Sequence, residues 1–358
     1  MRRTVNSRSI FRSNTRLKRS ATTIRACFLR YYWSYSFILI YTHHIDAYHT
    51  HRSVFGIHLL PICTACSEKS ITMAAFDKYK DDDLKPVKTH YESKEVDIPD
   101  DYLKSDPPDA QPITFSQIDF DKTVLPQYKG AYAVMLDNVL SPTECGTLLE
   151  LAEASVLDKD IRDGSPWNPA LVNVGKGEEA LMPYYRKSDR IIWDSQEIVD
   201  RLWARISERV PEIREQLATF RNGDLLGTRH KPDKETVWDF LRVNKRLRFL
   251  KYGPGEFFGP HCDGMFSEQG EDGSVLCTHF TLHLYLNDSQ QVVGESADFV
   301  GGATSFLSSD AKKRLDVDPK AGRVLIFQHE KLYHSGDAVK QGIKYTVRSD
   351  LQYKMRGS

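Results

Sequence analysis

Apolar positions keep a helical period in the middle of this chain and switch to strand-like alternation from Arg246 onward. The run Ser141-Pro142-Thr143-Glu144 predicts a helix start: Ser141 can cap, Pro142 suits the first turn, and Glu144 sits where a capping box places its acid. Leu148, Leu149, Leu151 and Ala152 supply its buried face. A second amphipathic helix is predicted from about Ser195, with Ile198, Leu202, Trp203, Ile206 and Val210 at helical spacing. A short strand is expected over 132–136. Beyond Arg246, Leu247, Phe249 and Tyr252 mark one strand, and 278–287 alternates Phe280, Leu282, Leu284 and Leu286 against Thr281, His283 and Tyr285. Further strands are predicted over 299–307, interrupted by Gly301-Gly302, over 323–328 and over 344–353. Several short strands with no helices between them argue for a sandwich or barrel, not a parallel sheet. The predicted class is α+β, mainly β: a jelly-roll (double-stranded β-helix) core with supporting N-terminal helices. Such a core holds a pocket at one open end between its two sheets.

Polarity outside these elements divides the chain into four parts. Residues 1–72 form a leader, 73–125 a polar, Pro-containing arm or linker, 126–240 the helical support and lid region, and 241–356 the jelly-roll core. Between the two helices, segment 163–187 carries Gly164, Pro166, Pro169, Gly175 and Gly177 and is long for a plain connection. As a lid, it would bring Trp167, Tyr184, Tyr185 and Arg186 over a pocket. The alternative is a structureless excursion.

The composition is that of an ordinary globular protein, 40% hydrophobic and 27% charged with zero net charge. That zero conceals an asymmetry. Residues 1–72 hold eleven Lys/Arg against two acids, so +9, and the remainder is −9. An acidic body argues against nucleic acid as a partner. The leader is rich in Arg and Ser and has no acid before Asp46, which is the composition of a mitochondrial transit peptide. Its apolar run over 33–41 falls short of the ~20 residues that span a bilayer, so no stable membrane insertion is expected. A working start at Met73 is the other reading, supported by the acidic stretch over 77–83, and implies a cytoplasmic protein. Of six cysteines, three lie in the leader, including Cys63-x-x-Cys66 without a second pair. This is no disulfide framework and points to a reducing compartment.

The chemistry concentrates in the strand-rich part. His261 and Asp263 lie two apart on an extended segment, so their side chains leave on one face. His-x-Asp alone is a frequent chance pattern. With His334, in Leu332-Tyr333-His334-Ser335-Gly336, it supplies two neutral imidazoles and one carboxylate. That donor set fills three neighbouring positions of a non-haem Fe(II) and leaves three for a chelating cosubstrate and oxygen. Tyr252 stands nine positions before His261, and Lys344 ten after His334. His279, His283 and His329 are near in sequence and are not taken as ligands. His283 shares a face with Thr281 and Tyr285 and is a candidate for an inward position.

The run Tyr252-Gly253-Pro254-Gly255-Glu256-Phe257-Phe258-Gly259-Pro260-His261-Cys262-Asp263 resembles the metal-binding strand of prolyl 4-hydroxylases. So do Gly301-Gly302-Ala303-Thr304-Ser305-Phe306, Pro319 to Phe327, and His334 with Gly342-Ile343-Lys344-Tyr345. Together they resemble the Fe(II)- and 2-oxoglutarate-dependent dioxygenase domain of that family, strongly over about 245–354 and more weakly back to about 130. The resemblance implies Fe(II) held by His261, Asp263 and His334, with 2-oxoglutarate, O2 and L-ascorbate as the other small molecules. It implies that Lys344 pairs with the distal carboxylate of 2-oxoglutarate, that Tyr252 donates its hydroxyl there, and that Thr346 lines the site. Arg348 is expected as an exposed strand residue, with a second anion contact as the alternative. The retained Asp263 favours hydroxylation, since halogenases that resemble this family lack the carboxylate.

The resemblance also implies a peptidyl proline substrate, the 163–187 loop closing over it. The segment from Tyr184 to Asp189 resembles the family's loop-to-strand entry, where an arginine often faces substrate. Arg186, Tyr184, Trp167 and His283 are therefore the candidates for substrate contact. With no secretory signal evident, procollagen in the endoplasmic reticulum is not the expected target; an intracellular protein or a small molecule stays open. Three rivals differ in class. A nucleobase or small-molecule oxygenase would want a basic, aromatic groove. A non-catalytic jelly-roll module would be expected to have lost a ligand or Lys344. A zinc hydrolase would leave Lys344 and Tyr252 unexplained.

Overall fold

In the computed structural model, residues 85–227, 233–357 are described; the leader and the question of Met73 lie outside the described residues. Strand Val275–Tyr285 shows how the molecule is layered. Phe280, Leu282 and Leu284 pack into the largest apolar core, and Thr281, His283 and Tyr285 leave on the other face. Both faces are buried because helices cover one and a second sheet covers the other.

The larger sheet runs in the order Thr114–Gln117, Ala133–Asp137, Val324–Gln328, Val275–Tyr285, Lys344–Met355, Arg246–Tyr252, Asp189–Asp194 and Asn168–Pro169, every neighbouring pair antiparallel. The smaller sheet runs Arg314–Val317, Thr304–Leu307, His334–Gly336, Phe257–His261 and Arg186–Lys187. Two antiparallel sheets facing each other, with helices outside the larger one, are the jelly roll expected from the alternation. The 299–307 strand is two strands: Phe299–Gly301 pairs with Val339–Gly342, and Thr304–Leu307 joins the smaller sheet. Gly301 and Gly302, at φ +85° and +71°, make the break. A Cβ on Gly301 would lie 2.8 Å from the Ala338 carbonyl oxygen.

Helices Pro142–Ala154 and Gln196–Arg209 lay Leu148, Leu151, Ile198, Leu202 and Ile206 onto the back of the larger sheet, against Trp193, Phe249, Val347 and Leu351. The predicted capping box forms: Ser141 Oγ accepts from Glu144 N (3.2 Å) and Glu144 Oε2 accepts from Ser141 N (2.9 Å). The other oxygen of Glu144 pairs with Arg205 at 2.7 Å, both side chains buried. Arg205 also donates to the carbonyls of Leu103, Ser105 and Val139, and Arg201 to those of Pro99 and Tyr102. Two arginines of one helix thus fasten the arm, whose Tyr102 and Leu103 are buried in the same apolar core.

Segment 163–187 is built, not structureless. It contains strands Val172–Gly175 and Glu178–Ala180, paired as a hairpin, and Val87–Lys88 of the arm adds a third strand. Tyr91 and Arg190 both hydrogen-bond Glu179, tying arm, hairpin and larger sheet together. No helix among the described residues is long and apolar enough to cross a membrane.

Removing one partner of a buried pair strands the other charge. Arg205→Ala is expected to cost about 3–5 kcal/mol in urea unfolding. Arg246→Ala, which breaks the more exposed pair with Asp194, should cost under about 1 kcal/mol. Equal losses would contradict this account of the helix layer.

Candidate metal centre

His261 ends strand Phe257–His261 and His334 begins strand His334–Gly336, and the two are cross-strand partners in the smaller sheet. Their ring centroids are 4.3 Å apart. Asp263, two residues on, completes a group whose ligand atoms all lie within 4.8 Å of one another. Nδ1 of His261 is 2.9 Å from the Gly259 carbonyl oxygen, and Nδ1 of His334 is 2.9 Å from that of Leu332. A carbonyl only accepts, so each Nδ1 carries the proton and each Nε2 is left as a lone-pair donor facing Asp263. The Nε2 to carboxylate distances are 3.5 Å for His261 and 3.8 Å for His334. Burial, helped by His261, pushes His334 down to about 3, so it is a neutral imidazole at any ordinary pH. Phe258 stacks on His261 at 3.9 Å, and Phe327 meets His334 edge-on at 4.8 Å. Both rings are thereby locked.

Asp263 is buried, which by itself would raise its pKa. The Arg348 guanidinium overcomes this and holds the carboxyl well below the usual range. Arg348 Nη1 lies 2.8 Å from Oδ1, and Thr281 Oγ1 donates to Oδ2 at 2.5 Å. Here the structure corrects the expectation for Arg348. It is not an exposed strand residue: Lys344, Thr346, Arg348 and Asp350 share the face of Lys344–Met355 that points between the sheets. Arg348 sits in register beside His283 and Arg248 and pairs with Asp263 and Asp350.

Lys344 stands on the same face, buried, across from Tyr252 in register. Its Nζ donates to the Gly302 carbonyl at 2.6 Å and lies 5.2 Å and 5.6 Å from the ring centroids of Tyr252 and Tyr285. No acid among the described residues forms an ion pair with it. Nearby, Thr346 Oγ1 and His283 Nε2 are buried with no hydrogen-bond partner among the described residues, and burial with Lys344 and Arg348 holds His283 neutral. A lone buried ammonium, an orphaned hydroxyl and an orphaned imidazole are unmet polar capacity, and an anionic cosubstrate would supply it. The residues fit both groups: His261, Asp263 and His334 for Fe(II), Lys344 and Thr346 for a carboxylate.

Of the other site candidates, Tyr252 is buried with its hydroxyl toward Ser188 and Arg186. Arg186 is buried too, its guanidinium 4.6 Å over the Phe258 ring and its Nε 3.3 Å from Ser188 Oγ, so it stands behind His261. Tyr184 is exposed (65%). Trp167 is a correction: it packs on Tyr345, on the helix-facing side of the sheet, and bonds Glu153 through Nε1. A substrate at the metal cannot reach it there. Thr281 was not foreseen; eighteen residues separate it from Asp263, and only strand pairing brings it near.

Residues 247–349 match the family model described as the 2OG-Fe(II) oxygenase superfamily. This part of the chain is a 2OG-Fe(II) oxygenase domain. It holds the three candidate ligands, Lys344, Thr346 and Arg348. No curated protein matches the chain. Among solved structures the chain is similar to a Pseudomonas putida prolyl-4-hydroxylase (16% identity, TM-score 0.37, covering 61% of this chain and 91% of that one). It is also similar to the viral collagen prolyl hydroxylase of Paramecium Bursaria Chlorella virus-1 (20%, 0.35, 62% and 97%). A third is a Trichoplax adhaerens prolyl hydroxylase in complex with a hypoxia inducible factor peptide (15%, 0.38, 61% and 82%).

Burial pushes the Lys344 ammonium of this oxygenase domain down to about 8, Asp337 opposing the shift. The proton is held below that pH and lost above it. The affinity for 2-oxoglutarate should therefore fall roughly five-fold between pH 8 and pH 9. Calorimetric titration of the metal-loaded protein reads it. Lys344→Arg, whose charge does not titrate in this range, should remove the dependence.

Proposed function

We propose that the protein is an Fe(II)- and 2-oxoglutarate-dependent dioxygenase that hydroxylates a peptidyl proline, with succinate and CO2 as the other products. The observation that carries the oxygenase is the facing of His261, Asp263 and His334 by a buried Lys344 that has no ion-paired acid among the described residues. The proline rests on the resemblance of four ordered motifs to prolyl 4-hydroxylases.

The bound iron would supply oxygen activation, and L-ascorbate would keep it ferrous. The residues of the chain bind, orient and exclude water. His261 and His334 offer Nε2, each ring fixed by its Nδ1–H on a backbone carbonyl. Asp263 brings the one negative charge, which leaves the ferrous centre at about +1 for an acidic cosubstrate to neutralise. Lys344 would meet the distal carboxylate, a charge-assisted bond in a pocket walled by Tyr252 and Tyr285. Tyr252 would wall that pocket with its ring, its hydroxyl lying toward Ser188 and Arg186, and Thr346 would line it. Exposed Tyr184 and the hairpin over 172–180 are the parts of the lid region available to a peptide.

Purified protein with Fe(II), 2-oxoglutarate, O2, ascorbate and proline-containing peptides should form succinate in step with a 16-dalton gain on proline, and His334→Ala should reduce both to background. A 16-dalton gain confined to a small molecule would keep the oxygenase and reject the proline. Succinate formation unaffected by His334→Ala would reject both.

A further inference from the structure

Arg348 reaches two acids at once. Nη1 is 2.8 Å from Asp263 Oδ1 and Nη2 is 3.1 Å from Asp350 Oδ1. Asp350 is itself buried and held from the other side by Arg248 Nη1 at 2.9 Å, and His329 Nε2 lies 3.4 Å from it. Thr281, the cross-strand partner of Asp350, donates to the second oxygen of Asp263. Asp263 follows a short strand, yet both of its oxygens are held by the central strands of the opposite sheet. Asp350 anchors the guanidinium, and the guanidinium anchors the ligand.

We infer that Arg348, braced on Asp350, is a positioning residue that fixes the Asp263 carboxylate for the metal; this rests on the proposed Fe(II) site. The guanidinium fork matters as well as its charge. Its two terminal nitrogens span two carboxylates in one plane, which a lysine ammonium on a flexible stem does not reproduce. Partners that orient a metal ligand are commonly worth 10–100-fold in metal affinity. The opposing effect is electrostatic: a cation beside the site repels the metal, so its removal alone would tighten binding. The two effects have opposite signs and can be separated.

The test uses the full protein and Co(II), with affinity read by competition against a chromophoric chelator and geometry by the ligand-field spectrum. Arg348→Met and Arg348→Lys should each weaken Co(II) about tenfold or more and alter the spectrum. Arg348→Lys keeps the buried charge between the two acids, so a failure of Arg348→Met to fold leaves the test intact. Asp350→Asn, which removes the brace and keeps Arg348, should weaken Co(II) in the same direction. Tighter binding by Arg348→Met with unchanged binding by Arg348→Lys would mean that only charge matters and would overturn the inference. So would equal affinity and identical spectra in all variants. A wild-type protein that binds no divalent metal would overturn the proposed function along with it.

Discussion

Holding one ionised carboxylate between two sheets is the constraint on which the centre of this molecule depends. Asp263 is buried and stripped of water, a situation that favours the neutral acid unless charge and hydrogen bonds are brought to it. Arg348 and Thr281 bring that charge and hydrogen bond from the larger sheet, and His261 and His334 set their Nε2 atoms beside the carboxylate from the smaller. The carboxylate is therefore the point at which the two sheets are chemically joined. Each side of the sandwich supplies what the other lacks: the imidazoles lie on one sheet and the cations on the other.

The packing around this point follows from the same requirement. Phe258 and Phe327 wedge the two rings, and apolar clusters close the interior on both sides, one around Phe306 and Leu325, the other around Leu250 and Phe299. Low-dielectric walls strengthen the interactions of every charge they enclose. They also leave Lys344 with one carbonyl and, among the described residues, no ion-paired acid, the clearest sign that a negative group belongs beside it. Behind the larger sheet, the Glu144–Arg205 pair joins a helix cap to the arm, so that layer too is pinned by a buried charge.

Much of this was legible in the sequence where the signal is local. The capping box at Ser141, the helical stripe from Ile198 and the alternation through Phe280, Leu282 and Leu284 are short-range patterns, and all three formed. His261 and Asp263 needed only the two-residue period, and His334 fell opposite them because the strands pair. Arg348 shows where reading by residue type misleads. Strand parity placed it with Lys344 and Thr346, yet the preference of arginine for water pointed outward, and the buried Asp263 and Asp350 decided for parity. Thr281 and Trp167 lay beyond reach for another reason. Their neighbours, Asp263 for one and Tyr345 for the other, are set by sheet order, which no local pattern encodes.

If the two halves of the interior form one site, metal and cosubstrate must bind with a shared free energy. The most direct measurement is the affinity of the protein for 2-oxoglutarate by calorimetry, with and without saturating Mn(II) under otherwise identical conditions. The account predicts that metal tightens 2-oxoglutarate by at least about tenfold, since His261, Asp263 and His334 hold the ion that the keto acid chelates. Equal affinity with and without metal, or no binding in either case, would contradict it.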